Sequence, residues 1–261
     1  ACKGGKHKPG YASPIVFDYR GLRQVTTMLA KSIIGVNAET GELLWEKTVF
    51  TERAERKHKD STYAMPTPAA DGRHIIVNFG VGVACLDFEG NLLWRKEDPE
   101  YVWNTRYGAV ASPVLVEDMA IVLQESEWDS KRPTWLAAFD KQTGRQRWRI
   151  NPTNIHECFT TPLVYRDRGD VRLIIASWGN VASYDARTGK RLWIRSLTTQ
   201  QLVASPAREG QLLCIGGGTW PKDADGTIMM RLERTAKGPG ASFLWRSEKD
   251  TPEDCSPVIY Q

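Results

Sequence analysis

The chain has 261 residues, with 35 Lys or Arg against 31 Asp or Glu and a formal charge of +4. That small, dispersed charge, with no Lys/Arg run interleaved with aromatics, excludes a nucleic-acid-binding surface, and no apolar run approaches the ~18 residues of a membrane span in this segment. The cysteines (Cys2, Cys85, Cys158, Cys214, Cys255) are odd in number and lack CxxC spacing, which argues against a disulfide framework or zinc site.

The N-terminal stretch ACKGGKHKPGYASP has no apolar h-region, so no signal peptide is expected in this segment. From there a pattern sets in and returns along the whole chain. A Ser/Thr-Pro pair is followed by β-forming residues: SPIVF at Ser13, TPAAD at Thr67, SPVLVED at Ser112, TPLVYRD at Thr161, SPAREG at Ser205 and SPVIY at Ser256. Proline at the first position of a strand costs no ladder bond, so each pair marks a strand start. A second apolar run follows each of the first five: QVTTML from Gln24, HIIVNFGV from His74, MAIVLQ from Met119, LIIASW from Leu173 and LLCIGG from Leu212. Cys85 and Cys214 fall inside apolar runs and read as small buried hydrophobes.

The third and fourth elements of each unit carry the strongest signal. AFDKQTGRQRW at Ala138–Trp148 returns as SYDARTGKRLW at Ser183–Trp193 and GVNAETGELLW at Gly35–Trp45. CLDFEGNLLW at Cys85–Trp94 is one residue shorter, and the version ending at Trp245 is degenerate. Asp140 and Asp185 can accept hydrogen bonds from N–H groups two or three residues on, which favours a turn. Gly41, Gly90, Gly144 and Gly189 supply the positive φ of a tight hairpin. Trp45, Trp94, Trp148, Trp193 and Trp245 then stand at a fixed offset on the second strand.

A lone hairpin has nothing to bury an indole against, whereas a neighbouring copy does, so the units should stack. Four strands per unit at a period of some forty to fifty residues is the signature of a propeller blade. The expected fold is an all-β propeller of four-stranded antiparallel blades at approximately 12–50, 66–98, 111–150, 160–196 and 204–248. The start of a next blade falls at 256–261. A closed propeller pairs its last blade with its first. Five units and a further first strand therefore lead to the expectation of part of a propeller of about six to eight blades.

The motif small-x-Asp-x-x-Thr-Gly-x-x-x-Trp resembles the tryptophan-docking motif of the PQQ-like, or quinoprotein-type, β-propeller repeat family. It is met in full at 138–148 and 183–193; Asn37 stands for Asp at 35–45. The resemblance implies a shared fold and two kinds of function. Quinoprotein alcohol dehydrogenases of that superfamily bind PQQ and calcium. Non-catalytic bacterial members include the lipoprotein of the outer-membrane barrel-assembly machinery. The stretch YAMPTPAADGRHIIVNFGVGVACLDFEGNLLW is similar to the non-catalytic periplasmic or secreted type, which implies a periplasmic or secreted location.

The residues themselves point to no catalytic, cofactor or metal site. The dehydrogenases are known for adjacent cysteines over the cofactor, and no Cys-Cys pair occurs; no calcium-binding triad can be placed on a matching motif. The string DADG at Asp223–Gly226 lacks the later carboxylates of an EF-hand loop and reads as a polar turn. Arg168-Gly169-Asp170 joins two strands and reads as a hairpin turn. In a propeller the connections between blades and those between second and third strands share one face. On this chain that face carries Arg53, Arg56, His58, Tyr63, Trp103, Arg106, Tyr107, Trp128, His156, Trp178 and Trp220. Aromatic and Arg residues dominate protein interfaces, so this is the candidate face for a protein or peptide partner. The competing reading packs these aromatics onto the blades, with Trp178 as a plug of the central channel. The functional expectation is a non-catalytic binding or scaffold propeller. The alternatives are part of a PQQ/calcium-dependent dehydrogenase and a sensory propeller fused to other domains.

Overall fold

The computed structural model describes residues 12–51, 64–97, 107–126, 133–157, 159–200, 202–218, 224–249, 251 and 255–259. No helix occurs among them, and so none long and apolar enough to cross a membrane. Their strands form five four-stranded antiparallel sheets, each a meander in chain order, which are the blades of an all-β propeller fold. The first contains β1 (Ile15–Tyr19), β2 (Leu22–Met28), β3 (Ile33–Asn37) and β4 (Leu43–Lys47). The second contains β5 (Ala69–Ala70), β6 (Ile75–Asn78), β7 (Gly82–Leu86) and β8 (Leu92–Glu97). The third contains β9 (Val114–Val116), β10 (Met119–Gln124), β11 (Trp135–Asp140) and β12 (Gln146–Ile150). The fourth contains β13 (Leu163–Asp167), β14 (Asp170–Ser177), β15 (Asn180–Asp185) and β16 (Arg191–Ser196). The fifth contains β17 (Ala207–Glu209), β18 (Leu212–Ile215), β19 (Thr227–Thr235) and β20 (Gly238–Ser247). Residues 1–149 and 150–261 form two compact units.

The middle strands β6, β7, β10 and β11 are buried along nearly their whole length because both of their faces are covered. In the second sheet Ile75, Val77, Ala84 and Leu86, with Phe88 of their own β7–β8 turn, join a core with Met28 and Ile33 of the first blade and Phe50 after it. The residues between them, Ile76, Val83 and Cys85, join a core with Ala120, Val122, Ala137 and Phe139. Side chains alternate across a strand, so one blade serves two interfaces at once.

The tryptophan motif builds the joints. Asp140 Oδ1 accepts from the N–H groups of Gln142 (3.1 Å) and Thr143 (2.9 Å), and the Gly144 N–H closes the turn on the Asp140 carbonyl at 2.8 Å. Asp185 does the same for Arg187 and Thr188, both at 2.9 Å, and Asn37 serves Glu39 and Thr40. Just before the turn the register slips, between Gly35 and Val36, Cys85 and Leu86, and Ser183 and Tyr184; in the fifth blade the slip, between Met229 and Met230, lies several paired residues ahead of the turn. This bulge sets Trp45 opposite Gly35, Trp94 opposite Cys85 and Trp193 opposite Ser183. The small residue of the motif is the floor on which the ring lies.

The roof comes from the next blade. A Cβ added to Gly90 would lie 2.6 Å from Trp45 Cδ2, and one added to Gly144 would lie 2.6 Å from Trp94 Cδ2. Trp94 also donates its indole N–H to the Lys141 carbonyl at 2.7 Å. Trp94 and Trp193 are buried at 9% and 7% exposure, and Trp193 sits in a core with Ile228, Leu232 and Ala241. Trp245 differs: it is 49% exposed. It stands opposite Met229, so its floor is a long side chain in place of a small one. The segment at 255–259 is in no paired strand; extended backbone forms a ladder only beside a neighbour.

Candidate functional site

Three of the eleven residues expected on the loop face are described: Tyr107, His156 and Trp178. Arg53, Arg56, His58, Tyr63, Trp103, Arg106, Trp128 and Trp220 lie outside the described residues. Tyr107 is exposed, in the connection ahead of the third blade.

Trp178 and His156 come together. Trp178 and Gly179 form the two-residue turn between β14 and β15, closed by the Ser177–Asn180 pair, with Gly179 at φ +67. The Trp178 N–H donates to the His156 carbonyl at 3.3 Å. Asn180 Nδ2 donates to the carbonyls of Asn154 and Trp178, both at 3.2 Å, and Arg191 donates to Thr153 Oγ1 at 3.0 Å. On the other side the Gly179 N–H donates to the Thr199 carbonyl (3.1 Å), while Gly179 accepts from the Leu197 N–H (2.8 Å). Two inter-blade connections are thus strapped to one turn, which holds a half-buried indole in a fixed place. Half-buried His156 has its pKa lowered by desolvation, so it is a neutral imidazole at neutral pH. A turn held by backbone bonds on both sides suits contact with a partner, where little conformational entropy is left to lose.

Several carboxylates of the described residues are bound into turns and into joints between blades. Asp71 accepts from the N–H groups of Arg73 (3.1 Å) and His74 (3.0 Å), meets His74 Nδ1 at 3.2 Å and pairs with Lys141 of the third blade. Burial works against its charge, but these donors and Lys141 prevail and bring its pKa from 3.8 to about 2. Asp140 reaches about 2 as well, held by the Arg147 guanidinium and by Thr143. Arg20 and Tyr19 of the first blade both donate to Glu89 of the second.

Two short motifs take their meaning only from the fold. Arg168 and Gly169 both have positive φ, at 48° and 86°, as a two-residue hairpin turn requires. Asp170 pairs with buried Arg172 at 2.9 Å and with Arg234 of the fifth blade. Its carboxylate is therefore engaged, with its pKa lowered first by Arg172 and then by Arg234. Asp225, read from sequence as part of a polar turn, is 5% exposed. Its Oδ2 accepts from the Thr198 N–H at 2.6 Å and its Oδ1 takes the Arg246 guanidinium. Asp225 thus clasps the connection after β16 to the last strand. A groove of about 500 Å³ opens there, lined by Thr198, Asp225 and Arg246 to Lys249. No group of His, Cys, Asp and Glu suited to a metal ion occurs among the described residues. Sequence reasoning missed this role of Asp225 because its partners are 27 and 21 residues away.

Residues 29–220 match the family model described as outer membrane protein assembly factor BamB. With the motif, the blades and that match in hand, the chain belongs to the PQQ-like β-propeller repeat family. No curated protein matches it by sequence. Among solved structures, BamB from Moraxella catarrhalis is similar at 17% identity and a TM-score of 0.60, over 90% of this chain and 64% of that one. Quinohemoprotein alcohol dehydrogenase from Comamonas testosteroni is similar at 12% identity and a TM-score of 0.62, over 91% of this chain and 43% of that one. Quinohemoprotein alcohol dehydrogenase ADHIIG from Pseudomonas putida HK5 follows at 14% and 0.55, over 91% and 42%. At these identities the likeness is one of fold, shared by an assembly factor and by enzymes. The chain spans less than two thirds of the length of each.

Proposed function

We propose that this chain is a non-catalytic scaffold that holds a protein or peptide partner on its loop face, at a periplasmic or outer-membrane-associated location. The observation that carries the proposal is the match of residues 29–220 to the assembly-factor family. The use of charge supports it: Asp71, Asp140, Asp170 and Asp225 are consumed in turns and inter-blade pairs. Trp178, strapped down at the His156 carbonyl, is the described anchor in the second unit, and exposed Tyr107 is a separate anchor in the first.

The first test is chemical. The purified chain is titrated with PQQ and calcium, then followed for quinone absorbance and dye-linked alcohol oxidation. The expected result is no turnover, and turnover would overturn the scaffold reading. The second places a photo-crosslinking residue at 178 or 107 in cells, with exposed position 16 on the edge strand β1 as control. A discrete protein adduct at the first two positions and none at the third is expected; equal labelling at all three removes the loop face from the proposal.

A further inference from the structure

Charge that is dispersed along the sequence is gathered by the fold. In the second unit the hairpin turns β13–β14, β15–β16, β17–β18 and β19–β20 stand at the end of the sheets opposite the Trp178–Gly179 turn. Bonds tie these turns into one surface. Arg187 donates to the Gly169 carbonyl at 3.1 Å, and the Ala186 N–H to the Val171 carbonyl at 2.9 Å. The Leu232 N–H donates to the Gln211 carbonyl at 2.7 Å, and Arg234 crosses from the fifth blade to Asp170 of the fourth. The β19–β20 pairing runs on past the last residue that β18 covers, so Arg234 and Lys237 stand on a projecting hairpin.

Residues 166–172, 185–191, 208–211 and 231–237 of these turns hold ten Lys or Arg against five Asp or Glu, an excess of five where the whole chain has four. The excess does not come with the repeat. The corresponding turns of the first unit, at 18–23, 37–43, 71–74, 87–91, 117–118 and 140–147, hold six Lys or Arg against nine Asp or Glu. Most of the carboxylates at the basic end are engaged inward. Asp167 and Asp170 face buried Arg172, at 3.8 and 2.9 Å, and also Arg234. Asp185 Oδ1 accepts from the N–H groups of its own turn, and Glu233 accepts from Ser242. Glu209 stays exposed. Arg168, Arg187, Lys190 and Lys237 are exposed as well, and no side-chain partner of Arg168, Lys190 or Lys237 occurs among the described residues.

The core of a protein interface is apolar and depleted of charge, and no large exposed hydrophobic lies in these four turns. A charged bilayer needs no such core, because it attracts the summed charge of cations near its surface. Guanidinium groups also match phosphate oxygens two at a time. We propose that the turn end of the second unit is a docking surface for one occupant, an anionic phospholipid bilayer, whose headgroup phosphates meet Arg168, Arg187, Lys190 and Lys237. The Trp178 turn then lies at the far end of β15, about 20 Å away along six strand residues, open to solvent and to a partner. The inference stands whether or not the loop face holds a protein.

The test is flotation of the unmodified chain with vesicles of phosphatidylcholine mixed with phosphatidylglycerol, and with vesicles of phosphatidylcholine alone. Binding to the anionic vesicles only is expected, and it should be lost between about 0.1 and about 1 M salt as the screening length falls from about 10 to about 3 Å. Binding to both vesicles, or binding that ignores salt, would overturn the proposal. Each Lys or Arg near an anionic bilayer contributes about five-fold in binding, so Arg168→Gln/Lys190→Gln/Lys237→Gln should bind about a hundred-fold more weakly at unchanged Tm. Lys190→Gln/Lys237→Gln, which leaves the Arg168 turn intact, should bind about twenty-five-fold more weakly. Lys31→Gln/Arg73→Gln/Arg145→Gln removes the same charge from exposed positions of the first unit and should bind as the parent does. Equal losses in the two triple variants would make net charge the cause and overturn the proposal. Two other results also overturn it. Release from the vesicles onto soluble poly-glutamate makes an acidic polypeptide the occupant. A low-salt dimer that the first triple variant disperses makes a second copy the occupant.

Discussion

Replacing Gly144 by Ala and, in a parallel protein, Gly41 by Ala separates two reasons for a glycine at this turn. Both residues close an Asx turn and share a backbone conformation, with φ of 68° and 71°. Holding an L-residue there costs about 1–2 kcal/mol, offset by about 0.4–1 kcal/mol from the stiffer unfolded chain. That contribution is common to both. The surroundings differ: a Cβ at position 41 meets nothing within 4 Å, whereas one at 144 would lie 2.6 Å from the Trp94 ring. The ring cannot retreat easily, because Cys85 lies opposite it and its N–H is held by the Lys141 carbonyl. Forcing a methyl into such a joint costs a further 1–3 kcal/mol or so. Gly41→Ala is therefore expected to destabilise by about 1 kcal/mol and Gly144→Ala by about 2–4 kcal/mol. The assay is urea unfolding followed by tryptophan fluorescence, with hydrogen exchange of β7 and β8 as a local readout, because two compact units need not unfold as one. If the two losses agree within about 0.5 kcal/mol, roughly the scatter of neutral surface changes, the glycine is there for its backbone alone and the roof argument fails.

Other expectations follow from the same joints. Trp94→Ala should cost about 3–5 kcal/mol, as truncations of core aromatics do, read from denaturant midpoints; a near-neutral value would mean that the ring is not docked. The pKa values of Asp71 and Asp140 are depressed from 3.8 to about 2 in the folded state, so their contribution is fully present above 3.8 and is lost as pH falls from there towards 2. Thermal midpoints should drop in that window, and Asp71→Asn should lower the neutral-pH midpoint while flattening the drop. A variant with an unchanged acid profile would remove the Asp71–Lys141 pair from the account. Buried Cys85, whose thiol is pushed up to about 12 chiefly by desolvation, should resist alkylation at pH 8 while exposed Cys255 reacts. Labelling of Cys85 ahead of unfolding would contradict its burial.

The blades were legible in the sequence because their causes are local. An Asx residue and a glycine four residues on make a turn from bonds within five residues, as Asp140 to Gly144 shows. A period-two strand on either side and a tryptophan at fixed offset complete the hairpin. Repetition then announces stacking, because no hairpin can bury that ring alone. The small residue of the motif was visible as a pattern, although its use as a floor needed the bulge after Gly35, Cys85 and Ser183.

The links between blades belong to the tertiary structure, because the partners come from different repeats. The Ser/Thr hydroxyls were read as strand markers, and only the fold shows them catching N–H groups 44 to 54 residues away. Asp225 looked like a turn residue until Thr198 and Arg246 were brought to it. Trp245 matched the repeat, yet Met229 beneath it and the exposed face above it set it apart from Trp94. His156 and Trp178 were placed on one face by topology, and the bond between them appeared only in three dimensions. Local turn chemistry repeated along the chain determines the blade. Burial, and the pairing of groups distant in sequence, decides which residues hold one blade to the next and which remain free to meet a partner.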